Sequence, residues 1–385
     1  MKNLFKLVLW AFMGVTVLSG CSRKFNMPAE SLTRESNWKF HRADIQSTGS
    51  LAGNFRGKLD VIWEQNTDTR PSGPITISKG YLIYPGSRKK IRFYDIAGGS
   101  YAGYVRTKGR CSTGMVVMDS LGYLVDGTRN FLLHCINLLN RNTLWNRPVR
   151  DAAAGLLIVD NRLILSLTDG SVQAFDLMTG DKKWSFEAKE RLLAPPSVAA
   201  EFIVQPGDQG TLFIIHTENG QEAARQKLDN PILGTSAVGN FAYLVDMPGN
   251  VFAVNYASDS IAWKSSITGP VWSAPAVDEN RVYVSSNSGE VSAFTALTGE
   301  KLWQYEAQEV IKSSPIVVGE FVVFGTMSGK LYSLKALDGT LVSKREFSGA
   351  HSQAPISDGR FIYVATDDGE LVCLGDANEV AALHQ

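Results

Sequence analysis

The chain has 385 residues, 44% of them apolar and 20% charged, with 38 basic residues balancing 38 acidic ones. That composition fits a globular protein with a real core, and zero net charge with no basic stripe along the sequence argues against a nucleic-acid partner. After Cys21 only Cys111, Cys135 and Cys373 remain, an odd set that implies no disulfide framework.

Read from the start, Lys2 and Lys6 accompany an apolar run, Leu7 to Leu18, and small residues then lead to Cys21. A basic start, an apolar middle and a small-residue cleavage site make a secretory signal over 1–20, and the run is short for a membrane-spanning helix. Leu18-Ser19-Gly20-Cys21 resembles the lipobox of bacterial lipoproteins, which implies cleavage before Cys21 and lipid on it. In that pattern Ser22, in place of Asp, implies export to the outer membrane, facing the periplasm. The polar stretch that follows makes residues 21–37 a lipidated Cys with a flexible tether.

The rest is repetition. The unit Gly289 to Trp303 holds a turn, a strand with period-2 alternation, a second turn at Thr298-Gly299 and a strand entered through Trp303. Its opening glycine recurs at Gly170, Gly210, Gly249, Gly329 and Gly369, 39 or 40 residues apart, with looser copies at Gly127 and Gly86. Each period carries four short apolar runs and no helical one, the pattern of four-stranded propeller blades. The last copy stops a strand short, while an orphan run at Leu59 to Glu64 matches Lys301 to Glu306. An N-terminal strand over 59–65 completing the last blade leaves no open edge. The expected fold is all-β: an eight-bladed β-propeller of four-stranded antiparallel blades over 38–376, closed by the N-terminal strand, with a tail at 377–385. In the repeat alignment Cys135 and Cys373 fall where Ala293 sits, as small core residues.

The unit Ala-Phe-x-x-x-Thr-Gly-x-x-x-Trp, at Ala174 to Trp184 and Ala293 to Trp303, resembles the PQQ-like β-propeller repeat. The resemblance covers 38 to 374, including an entry sequence from Trp38 to Gly49, and implies that the repeat's Trp stacks between neighbouring blades. Trp63, Trp145, Trp184, Trp263 and Trp303 fill that slot, with Arg225 and Ser343 near it in two copies. One branch of the family comprises periplasmic dehydrogenases with PQQ and Ca²⁺ on the axis; the other is non-catalytic and includes BamB-like lipoproteins of outer-membrane β-barrel assembly. Length, lipobox, tether and bare blades resemble the second.

Chemistry has no visible address. Forty-residue periods leave no room for long cofactor-bearing insertions, and Asp169-Gly170 and Asp367-Asp368-Gly369 read as turn residues capping their own backbone. No dense acidic loop suits a hard cation, the five histidines share no zinc spacing, and no nucleophile elbow or P-loop occurs. Catalytic, cofactor and metal residues are therefore expected to be none. What remains is surface: the loops Lys189 to Pro196 and Lys227 to Pro231 offer Arg191, Leu192, Leu193 and Asp229 as an apolar anchor with a charged rim. The alternative is that the two leucines lead into the core. Tyr101, Tyr104, Trp272 and Phe347 offer a different partner face. The expectation is a monomeric, lipid-anchored scaffold for outer-membrane or periplasmic proteins such as a β-barrel assembly component; the alternatives are a PQQ-dependent dehydrogenase and a carbohydrate- or cell-wall-binding propeller.

Overall fold

The computed structural model describes residues 23–35 and 38–378. The expected signal at 1–20, Cys21, and 379–385 of the expected tail lie outside them. Eight sheets form the ring. In the blade containing the type unit the strands run Ala276–Val277, Arg281–Ser285, Glu290–Thr295 and Lys301–Glu306, each hydrogen-bonded to the next. The ring closes as expected. Asp60–Asn66 is the outermost strand of the last blade, antiparallel to Glu370–Gly375, with Trp63 opposite Cys373.

Two glycine turns explain the repeat. Gly289 has φ 94°, and a Cβ there would come within 2.8 Å of the Glu309 carbonyl oxygen, in the loop leaving the same blade. A side chain fits neither the conformation nor the space. Gly299, at φ 71°, lies flat against Trp263 of the preceding blade, where a Cβ would stand 2.4 Å from the ring. The Trp263 Nε1–H donates to the carbonyl of Ala296 at 2.8 Å. Trp303 repeats the arrangement on the next blade, donating to Ala336 at 3.0 Å, as do Trp184 on Thr217 and Trp63 on Ile96, both at 3.1 Å. Trp145 packs against Gly180 in the same way. A buried Trp removes about 150–250 Å² from water, an upper bound of roughly 4–6 kcal/mol per joint. Each Trp faces a small residue on the strand inside it, Cys135 and Cys373 among them. Burial pushes the Cys135 thiol up to about 11, and the Cys373 thiol upward too.

Three joints lack the ring. The register puts Ala224, not Arg225, in the slot of the fourth blade, opposite Ile214; Arg225 is exposed and pairs with Glu222. Tyr256 of the next blade fills that space, edge-on to Phe202 at 5.8 Å. Ser343 holds the slot of the seventh blade, opposite Ser333. In the first blade the slot is Gly103, opposite Phe93. Gly86 and Gly127 differ from the later turn glycines in having no positive φ; in the first blade Lys89 takes the left-handed conformation, at 56°.

Residues 23–34 are not the free tether expected over 21–37. Arg23 to Phe25 pair with Tyr104, the Phe25 N–H donating to its carbonyl at 2.9 Å. The Phe25 ring is 1% exposed and stacks on Phe93 at 3.8 Å. A short 3-10 turn, Ala29–Thr33, follows beneath the first blade. From Trp38 the chain then crosses the axis. Its carbonyls at Trp38, Ile45, Gln46, Thr48 and Gly49 accept the amides of Ile77, Val198, Ala237, Val277 and Val317, on the innermost strands of five blades. Arg42 is 2% exposed, its guanidinium bonded to the carbonyls of Ser47 and Pro275. This segment fills one end of the central channel.

Candidate functional site

The interblade loops gather around the axial segment, which bonds to the carbonyls of Pro196, Pro275 and Pro315. The interblade loops end in Pro196, Pro275, Pro315 and Pro355 just before an inner strand, and the residue four earlier, Leu192, Val271, Ile311 or His351, is at most 1% exposed. Successive residues of an extended chain point to opposite sides. The residue three before each proline, Leu193, Trp272, Lys312 or Ser352, is therefore exposed.

The expected partner residues fall on different sides of this alternation. Leu192 is a core residue at 0% exposure, packed between the third and fourth blades. It cannot be a surface anchor. Leu193, 43% exposed, lines a cavity of about 320 Å³ with His41, Arg110, Asp151, Thr168 and Gln353. Arg191 is exposed, and its backbone is pinned to the neighbouring turn: its N–H donates to Asp208 Oδ1 at 3.2 Å, and its carbonyl accepts the Asp208 amide at 3.0 Å. Asp229 is exposed on the following loop. The second aromatic group does not form a face. Tyr104 lies under the N-terminal segment at 7% exposure, Tyr101 packs on Tyr94, and Phe347 packs on His351. Of the four, Trp272 alone is exposed, at 53%, its indole N–H beside the Asn287 amide. Aligning the loops on their prolines would have paired Trp272 with Leu193.

The electrostatics around these loops are sparse. His41 projects from the axial segment into the cavity, and burial, with Arg42 beside it, lowers its pKa to about 4. Its Nδ1 and the Asp151 Oδ1 have no hydrogen-bond partner. Among the described residues no three His, Cys, Asp or Glu side chains gather to hold a metal. A hard cation asks for six or more oxygens, and Asp151 supplies the one carboxylate of this lining. The set does not fit a Ca²⁺-bound quinone. The buried pair of His134 and Asp126, 2.9 Å apart, is a tie within the second blade: Asp126 Oδ2 also accepts the Lys108 backbone N–H at 2.6 Å.

The neutral total hides one local excess. From Arg70 to Arg110, essentially the first blade, nine side chains are Lys or Arg and one, Asp95, is acidic. The reading that basic residues do not cluster is thus corrected for this blade.

The family model described as outer membrane protein assembly factor BamB matches residues 60–237 and 208–380. The BamB of Yersinia pestis is 23% identical over 312 residues, 75% of this chain and 77% of that protein. The BamB of Burkholderia pseudomallei (strain K96243) is 28% identical over 107 residues, 28% of each. Among solved structures, BamB from Moraxella catarrhalis superposes with a TM-score of 0.71 at 17% identity, covering 82% of this chain and 99% of that one. The quinohemoprotein alcohol dehydrogenase of Comamonas testosteroni gives 0.73 at 10% identity, covering 91% and 82%, a likeness of fold alone. With a complete ring and a family model spanning nearly all of it, the chain belongs to the family of the outer membrane protein assembly factor BamB.

Proposed function

We propose that the protein is a non-catalytic scaffold, lipid-anchored through Cys21 on the periplasmic side of the outer membrane, that docks a component of β-barrel assembly on its interblade loops. The observation that carries this reading is the pair Leu193 and Trp272, exposed at equivalent positions of two loops while the residue before each is buried. Exposed apolar side chains on interblade loops that also carry Arg191 and Asp229 have the make-up of a recognition patch. The loops are held by strands on both sides, so the patch is preorganised and loses little entropy on binding. The scaffold is monomeric, its ring closed by the N-terminal strand.

The test is affinity capture from envelope extracts with the full chain. Wild type is expected to retain a β-barrel assembly component, and Leu193→Asp with Trp272→Ala to lose it at least tenfold with an unchanged thermal midpoint. Retention unaffected by both substitutions moves the docking site elsewhere. Quinone-dependent dye reduction by the purified protein would replace the scaffold reading with an enzymatic one.

A further inference from the structure

We infer that the basic edge of the first blade is a docking surface for anionic phospholipid headgroups, positioned by the N-terminal strand. The inference rests on the lipid anchor at Cys21 and adds to it a face and a charge. Arg70, Arg88, Lys89, Arg106, Lys108 and Arg110 are all exposed, and none of the six is in a salt bridge among the described residues. The one acidic residue of the blade, Asp95, is already paired with Arg34 at 3.6 Å. So many uncompensated charges on one blade of a neutral chain are repelled from one another and attracted by an anionic surface.

The fold holds these charges beside the point where the chain emerges. Tyr104 bonds the N-terminal strand through both its amide and its carbonyl. The Lys90 ammonium lies over the same Tyr104 ring at 4.3 Å. Arg106 is two residues further on, the Thr107 N–H donates to the Lys89 carbonyl at 3.0 Å, and the Lys108 amide is held by Asp126. Turn and loop are therefore fixed to one another. One residue, Ser22, separates Cys21 from Arg23, a covalent reach of at most about 7 Å. A lipid there tethers the outer strand of this blade, Tyr101–Arg106, close to the bilayer. Each basic side chain held near an anionic bilayer surface adds about 1 kcal/mol of attraction and sets which face turns toward it.

The experiment uses the full chain reconstituted in vesicles, with amine acylation read at individual lysines by mass spectrometry. In vesicles of phosphatidylethanolamine with phosphatidylglycerol, Lys89 and Lys108 are expected to be labelled several-fold more slowly than in phosphatidylethanolamine and phosphatidylcholine alone. Lys264, on the fifth blade, serves as the unchanged internal reference. High salt, or Arg88→Glu with Arg106→Glu, should restore labelling at Lys89 and Lys108. Equal labelling in both compositions overturns the inference, and so does protection that appears only with an acidic protein and not with vesicles. The mass of the Cys21 peptide reports the anchor separately. An unmodified Cys21 removes the lipid reading, whereas a lipidated chain without composition-dependent protection removes only the basic surface.

Discussion

The joint between the sixth and seventh blades and the joint between the first and second do the same job with different parts of the chain. In the former, Trp303 lays its ring on Gly339 and its Nε1–H donates to the carbonyl of Ala336, the residue just after the third strand. In the latter, Gly103 occupies the Trp slot, and the backbone of Arg23 to Phe25 passes over it so closely that a Cβ would meet it at 2.9 Å. Phe25 supplies the ring. Met27 N–H donates at 2.8 Å to Leu138, again the residue just after a third strand. A local element and a segment 78 positions upstream of its slot thus satisfy one geometry. The difference is in how each can fail: a Trp joint opens only with its blade, whereas the first joint can open by peeling a strand from the edge.

The largest break in this comparison is Trp303→Ala, expected to cost about 3–5 kcal/mol in a urea unfolding midpoint, because the ring is buried on all sides. A loss below about 1 kcal/mol would show that the ring is not what holds the joint. Phe25→Ala removes an equally buried ring but is expected to cost about 2–3 kcal/mol, since peeling of the segment limits the penalty. Its distinguishing sign is local: faster amide exchange at Phe25, Met27 and Tyr104 with the other blades unchanged. Uniform acceleration around the ring would make the segment part of the global fold instead.

The last blade tests whether the loop slot obeys the same rule of burial. His351 stands where Leu192, Val271 and Ile311 stand, 1% exposed and with Nε2 unpartnered. Burial, the dominant cause, lowers its pKa from 6.5 to about 4, against an opposing effect of Asp367. The unfolded chain therefore binds this proton at a higher pH than the folded one. Stability is full above about 6.5 and falls as the pH drops through the window down to about 4, by up to about 3 kcal/mol. His351→Leu should remove about half of the histidine-linked decline, the other half belonging to His41, whose pKa is lowered equally. An unchanged pH profile would mean that the imidazole reaches water.

Much of this was legible because it was periodic. Gly289 and Trp303 recur every forty residues, so repetition separated blade parts from ligand contacts, and the unpaired run at 59–64 announced the closure. In the fourth blade Arg225 is only near the Trp slot; the count of four from Gly220, as from Gly180 to Trp184, gives Ala224. Leu192 and Leu193 are adjacent leucines, and composition cannot say which faces in; only the spacing to Pro196, compared with Val271 and Ile311, distinguishes them. The docking of 23–34 left almost no signal. Phe25, Met27 and Leu32 are scattered among polar residues, and their partners lie in blades far along the chain.

The smallest expected effect isolates the hydrogen bond from the ring. Trp303→Phe keeps most of the apolar area and deletes the donor to Ala336; Met27→Pro deletes the backbone donor to Leu138 and leaves Phe25 in place. The residue before Met27 then precedes a proline and is confined to extended conformations, which suits a segment already bridged to a strand at Lys24. Each substitution leaves one buried carbonyl without its partner, so each should cost about 1–2 kcal/mol, measured as the shift in urea midpoint. Equal losses would mean that the two carbonyls are equivalent sockets of the repeat, indifferent to whether an indole or a backbone amide fills them. A loss several-fold larger for Met27→Pro would place the hold of the N-terminal strand in its backbone, and Phe25 would then be a passenger on it.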